Sequence, residues 1–264
     1  MRPSSALFFA VTACGGAPPP RVSPASTAAP PVAATRKAPL NTTALAVEPA
    51  TVPLSQGRVR FVAPLAGERI AAEQAQTYEL RWSSEQLDAD ALGLDIALDG
   101  NRPRRLPVAQ SSTPLSSLVP VSEVLSPGRH WLFLAPVAAS GVIPRRAADG
   151  LRSAMAVEFQ VGAGPVTSAG KGALWLRKPD GTYNGPASEH VLFDAQAFAE
   201  NGSPVAESCT FSLRGPATGE LGVSAPFFLP ALASGDYEIE AVASGFESFP
   251  PRRVTVNAEL GRPK

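Results

Sequence analysis

Polar and apolar positions alternate along most of the chain from Arg58 onward. Val59 and Phe61 alternate with Arg58 and Arg60, and Tyr78, Leu80 and Trp82 with Glu79 and Arg81. Leu94, Ile96 and Leu98 alternate with Asp95 and Ala97, and Met155, Val157, Phe159 and Val161 with Ala156, Glu158 and Gln160. A period of two over short runs broken by Gly, Pro and Asp predicts half-buried strands. His130-Trp131-Leu132-Phe133-Leu134 is apolar on both faces and predicts a central strand, while Asp99-Gly100 predicts a turn. Only Glu68 to Gln76 has helical spacing. The second half continues in the same way. Ala173-Leu174-Trp175-Leu176, Val191-Leu192-Phe193, Cys209 to Leu213, Phe227-Phe228-Leu229, Tyr237 to Val242 and Val254-Thr255-Val256 are its strand candidates. Gly162 to Gly172 has the composition of a linker.

The halves also repeat one another. Leu125-Ser126-Pro127-Gly128-Arg129-His130 aligns with Leu232-Ala233-Ser234-Gly235-Asp236-Tyr237, so that Tyr237 stands 107 positions after His130. Pro64 and Pro179, each closing a first strand, stand 115 apart. An apolar residue, glycine three positions on and an aromatic opening a strand resemble the tyrosine corner of Greek-key sandwiches, where the ring's polar tip bonds upstream backbone. The stretch 58–260 resembles the tandem immunoglobulin-like domains of bacterial envelope lipoproteins, without the Cys…Trp…Cys spacing of antibody domains. Residues 232–246, with Gly245-Phe246 after the strand, also resemble the end of a transthyretin-like, carboxypeptidase-regulatory sandwich. The expected fold is all-β: two tandem Greek-key β-sandwich (immunoglobulin-like) domains, 58–162 and 173–260, joined by a linker at 163–172 and preceded by a disordered N-terminal tether.

The start of the chain reads as an address. One basic residue, Arg2, precedes the short apolar run Ala6 to Val11 and then small residues, the order of a secretory signal over 1–13. Val11-Thr12-Ala13-Cys14 resembles a bacterial lipobox, which implies acylation of Cys14 and a membrane partner through that lipid. Gly15 stands where the family's inner-membrane retention aspartate would sit, which implies outer-membrane sorting. Residues 14–57 form the expected tether: nine prolines from Pro18 to Pro53 among Ala, Thr and Ser, with no periodic apolar face to offset the entropy of ordering. Proline biases such a stretch toward polyproline II, about 3 Å per residue.

Composition narrows the chemistry. The 22 glycines and 28 prolines of 264 residues fall short of a wholly disordered chain, and 44 % hydrophobic content suffices for a core. Lys+Arg and Asp+Glu both number 23, so there is no electrostatic footprint for nucleic acid. Two cysteines exclude a disulfide-dense scaffold, and two histidines a histidine-rich metal site. Gly222-Val223-Ser224-Ala225-Pro226 lacks the last glycine of a nucleophile elbow, and Gly164 to Lys171 has the wrong spacing for a phosphate loop. Asp88, Asp90, Gly93 and Asp99 echo a calcium loop, but Leu92 occupies its fifth place, so a solvated loop is expected. His130 is expected as a corner residue rather than a general base, His190 on the surface, and Cys209 as a buried, inert thiol. Asp180 to Pro186 is expected to form turns, with Tyr183 as a stacking residue the weaker alternative. The pairs Arg104-Arg105, Arg145-Arg146 and Arg252-Arg253 are expected at solvated strand ends. The expected role is a non-catalytic scaffold or recognition module of the bacterial envelope, without cofactor or metal, with an envelope protein or glycan as partner. The alternatives are a carbohydrate- or polymer-binding module and an accessory subunit of an envelope enzyme.

Overall fold

The computed structural model describes residues 47–85, 93–106, 115–118, 125–163, 171–185, 190–206, 209–223, 225–230 and 232–258. The signal segment, Cys14, the tether up to residue 46, the Asp88–Asp90 loop, Ser224 and most of the linker lie outside them.

Each half is a two-sheet sandwich, and the two are built on one plan. In the first, a three-stranded sheet has the order Arg58–Ala63, Glu79–Glu85, Leu115–Leu118. The opposing five-stranded sheet runs Arg69–Ile70, Met155–Val161, Gly128–Val137, Gly93–Leu98, Arg104–Leu106. In the second, the five-stranded sheet has the same order: Gly181–Asn184, Arg252–Asn257, Gly235–Val242, Cys209–Arg214, Gly219–Val223. Its other sheet centres on Gly172–Lys178, His190–Phe198 and Phe227–Pro230. In both halves the first strand ends at a cis X-Pro bond, Ala63-Pro64 or Lys178-Pro179, and the chain then crosses to pair in parallel with the last strand. The repeat seen in the sequence is therefore a repeat of topology, and the fold is a pair of immunoglobulin-like sandwiches.

The strands fall where alternation puts them, with two corrections. Within Glu68 to Gln76 the chain forms the strand Arg69–Ile70 and a single 3-10 turn at Ala72–Gln74, not a longer helix. Asp180 to Asn184 holds the strand Gly181–Asn184 rather than a run of turns, because the backbone of Arg252–Asn257 offers it a ladder.

A third correction concerns the tether, expected to run without structure to residue 57. Glu48–Pro49 adds a strand to the edge of Phe227–Pro230 in the second sandwich, and Ala50 N–H donates to Pro226 O at 3.2 Å. Leu54–Ser55 then pairs with Arg145–Arg146 beside the first sandwich. The sequence here lacks an apolar period, but an unpaired sheet edge needs only backbone, which any residue supplies.

Alternation also assigns each strand two faces with different partners. In the first sandwich Leu94, Ile96, Leu132, Leu134, Val157 and Phe159 point into its own core. In the second, Leu174, Leu176, Val191, Phe193, Phe211 and Ile239 do the same. The opposite faces of these strands form a third buried cluster common to both halves: Ala97, Trp131, Phe133, Ala135 and Ala156 from the first, Ala173, Trp175 and Phe198 from the second. The rings of Trp131, Phe133 and Trp175 stack nearly parallel, with centroids 6.2 and 5.4 Å apart. The run that reads as apolar on both faces, His130 to Leu134, is thus part of a strand buried between a sandwich core and a shared interface. The linker does not separate two independent cores.

Candidate functional site

Charge crosses the same interface. Arg177 is fully buried on the face of its strand that points away from its own sandwich core. Its Nη1 donates to Asp95 of the first sandwich at 2.7 Å, its Nε to Asp194 at 2.8 Å, and its Nη2 to the carbonyl of Gly141. Asp95 also accepts from Arg105, and Asp194 from Arg152. Three guanidiniums and two carboxylates therefore alternate across the junction. Burial pulls the Arg177 pKa down, but Asp194 and Asp95 outweigh it and hold the group above its ordinary value. Burial likewise pushes Asp194 up, and Arg152 and Arg177 bring it below the usual carboxylate range. Nε and Nη2 of Arg152 find no hydrogen-bond partner among the described residues.

At the rim of this junction lies a groove of about 590 Å³, within the roughly 300–1,000 Å³ of sites that hold small molecules. Both sandwiches build it: the turn Asp99 to Arg102 with Arg129 and Trp131 from the first, Gly181, Glu247 and Phe249 to Arg253 from the second. Gly100, at φ +68°, lets the ring of Phe249 lie against the turn, since a Cβ there would collide with it. Phe249 also meets Phe133 edge-on, with centroids 5.5 Å apart.

Arg252 ties the two walls together. Its Nη1 donates to the carbonyls of Arg177 and Pro179, and its Nη2 to those of Gly100 (2.7 Å) and Asn101. Burial lowers its pKa to about 10. Arg105 donates to Asp95 from an exposed strand end; the expectation of a solvated strand end fails for Arg252. It fits Arg253, whose side chain is 88 % exposed. Arg129 bridges Glu158 at 3.3 Å and Glu247 at 2.6 Å, the latter across the junction. Arg102 is 69 % exposed and stands 4.0 Å from Asp180.

The corner residues occupy equivalent places. Tyr237 donates from its hydroxyl to Ala233 O at 2.9 Å, and His130 Nε2 lies 2.7 Å from Ser126 O, four residues upstream in both cases. Gly128 and Gly235 both take φ +141°, open to glycine but rarely to other residues. Where the Tyr237 hydroxyl also meets the Ala217 backbone, His130 meets a carboxylate: its Nδ1 lies 2.6 Å from Asp99 Oδ2. Asp99 in turn accepts from Trp131 N–H at 2.8 Å, and it too is left-handed, at φ +48°. Hydrogen bonding to Asp99 raises the His130 pKa above its ordinary value.

His190 is on the surface as expected, 3.9 Å from Glu48. Cys209 is buried, and burial together with Asp194 raises its thiol to about 11, which keeps it a thiol at neutral pH. Tyr183 packs against the second sandwich's core and its hydroxyl accepts from Asp180 N–H at 3.2 Å, so it is not a free stacking ring. Burial raises its pKa to about 12. Asp88, Asp90 and Leu92 of the calcium-like pattern and Ser224 fall outside the described residues, while Gly93 opens a strand and Asp99 is held by His130 and Trp131. Among those residues no cluster of three or more His, Cys, Asp or Glu could hold a metal ion, and no helix is long and apolar enough to cross a membrane.

No protein-family model matches the chain, and no curated protein matches it. Solved structures do. The fibronectin(III)-like modules of Clostridium thermocellum CbhA are 14 % identical, with 78 % of this chain and 96 % of that one covered, at a TM-score of 0.24. A 1.5-MDa bacterial ice-binding adhesin is 15 % identical, covering 80 % and 67 %, at 0.27. The D00-D0 domain of intimin is 13 % identical, covering 75 % and 96 %, at 0.22. At such values the sandwich assignment rests on the strand order given above.

Proposed function

We propose that the chain is a non-catalytic lipoprotein of the bacterial outer membrane that holds out a rigid two-sandwich recognition unit, with its inter-sandwich groove as the binding site. One observation carries this reading: both sandwiches contribute walls to the groove, and the buried Arg177 network and the Arg252 clamp fix those walls relative to each other. Binding surfaces that are already organised do not spend affinity on ordering themselves. The lipobox-like Val11 to Cys14 and the proline-rich stretch behind it support the anchor.

Two measurements test the reading. Labelling with a fatty acid should mark the wild type and not Cys14→Ser; equal labelling rejects the anchor. A panel of neutral and acidic envelope polysaccharides should contain at least one polymer whose binding is lost in the Arg102→Ala/Arg253→Ala double variant. Binding unaffected by the double variant rejects the groove as the site.

A further inference from the structure

Taking the groove as the recognition site, we infer that its ligand is an acidic polysaccharide, with carboxylates meeting Arg102 and Arg253 and sugar faces lying along Phe249 and Pro250-Pro251.

The first support is charge. Four arginines line the groove, Arg102, Arg129, Arg252 and Arg253, against two carboxylates, Asp99 and Glu247. Both carboxylates are engaged, Asp99 by His130 and Glu247 by Arg129. Arg252 gives four hydrogen bonds to carbonyl oxygens, so its charge is solvated by dipoles and not neutralised. Arg102 and Arg253 stand at the rim with mostly exposed side chains, and their nearest carboxylates lie at 4.0 and 3.6 Å. Exposed pairs at such distances are worth little, so both guanidiniums are open to a bidentate carboxylate.

The second support is the type of surface between those charges. An extended peptide docks by adding a strand, which requires a row of free backbone donors and acceptors. The wall Phe249-Pro250-Pro251 has two residues without an N–H, and the carbonyls of Gly100 and Asn101 facing it are already taken by Arg252. What remains is the half-buried Phe249 ring, two exposed proline rings and guanidiniums. That combination suits a polymer whose rings carry carboxylates. Nucleic acid is disfavoured by a chain whose net charge is zero.

The experiment is a calorimetric titration of the full chain with polygalacturonate, alginate and fully methyl-esterified polygalacturonate, alongside polyglutamate and a single-stranded oligonucleotide. The ester keeps the sugar ring and removes the charge; polyglutamate keeps the charge and removes the ring. The inference expects at least one uronate polymer to bind, more weakly as salt rises. It expects affinity to fall at least about tenfold for the ester and for each of Arg102→Ala and Arg253→Ala, the scale of one lost hydrogen bond to a charged group. Both arginines are exposed, so their loss leaves the fold intact. Ester binding as tight as acid, still lost in the arginine variants, overturns the inference while the recognition groove stands. Polyglutamate or oligonucleotide binding as tight as the uronates overturns it in favour of another class of partner. Binding of neither uronate polymer overturns it outright.

Discussion

At the scale of single residues, His130 shows how one side chain serves a corner and adds a pH dependence to it. Both of its ring nitrogens face acceptors, a carbonyl oxygen at 2.7 Å and a carboxylate at 2.6 Å. A neutral imidazole has one N–H, so it leaves one lone pair against an oxygen. The doubly protonated ring satisfies both, and its folded pKa is accordingly raised, first by Asp99. Its contribution to stability is therefore complete below the unfolded value of about 6.5 and is lost as pH rises through the higher folded value. Urea denaturation should show wild-type stability falling as pH rises above about 6.5, with the fall absent in His130→Gln; a flat wild-type profile contradicts it. Tyr237→Phe, which removes the equivalent bond without a titrating group, should cost about 1–3 kcal/mol at every pH. The corner itself was legible, because a Leu-x-x-Gly-x-aromatic string demands local geometry and occurs twice. The Asp99 partner was not: Asp99-Gly100 reads as a turn, and nothing local says that a turn's carboxylate will meet a ring 31 residues later.

At the scale of elements, strand positions follow from alternation, and the errors fall where something other than side-chain pattern decides. The segment 47–57 is the clearest instance. Its side chains contain no apolar period, yet its backbone fills one sheet edge and then pairs beside the other sandwich. Ala50 N–H to Pro226 O, Arg145 N–H to Pro53 O and Ala147 N–H to Ser55 O anchor it, and Val47 packs against the second core. Each such bond is worth about 0.5–1.5 kcal/mol net. Digestion with a nonspecific protease should accordingly leave a core that begins near Val47, read by mass spectrometry. A chain begun at Arg58 should fold with about 2–4 kcal/mol less stability, from the loss of three bonds and the edge they cover. A protected fragment starting at Arg58, as stable as the longer one, contradicts the pairing. The arginine pairs divide for a related reason: Arg253 extends from its strand into solvent, while Arg252, one residue earlier and on the opposite face, reaches carbonyls contributed by both halves.

At the scale of the whole molecule, the linker composition at 163–172 suggests two independent domains, and the packing joins them. What pointed to that packing was the apolar character of both faces in His130 to Leu134. That character fits a strand at the centre of one sheet equally well, and only the placement of Trp131, Phe133 and Trp175 in one stack separates the two meanings. Arg177 carried still less signal, since its carboxylate partners lie 17 and 82 residues away. The consequence is cooperative unfolding. Opening either sandwich alone exposes the aromatic face of the other and leaves buried charge unpaired, so the intermediate with one half folded is penalised twice. Calorimetry of residues 47–264 should show a single transition whose van't Hoff and calorimetric enthalpies agree. Arg177→Met removes the shared cation and leaves Asp95 and Asp194 facing each other's sandwich with one arginine each. Breaking a buried pair in this way costs about 3–5 kcal/mol. Because the arginine belongs to the second half and Asp95 to the first, the loss should lower the melting of both halves together, followed through Trp82 in the first core and Trp175 at the junction. Two separate transitions in the wild type, or a variant in which the first half melts unchanged, would show that the sandwiches are neighbours only.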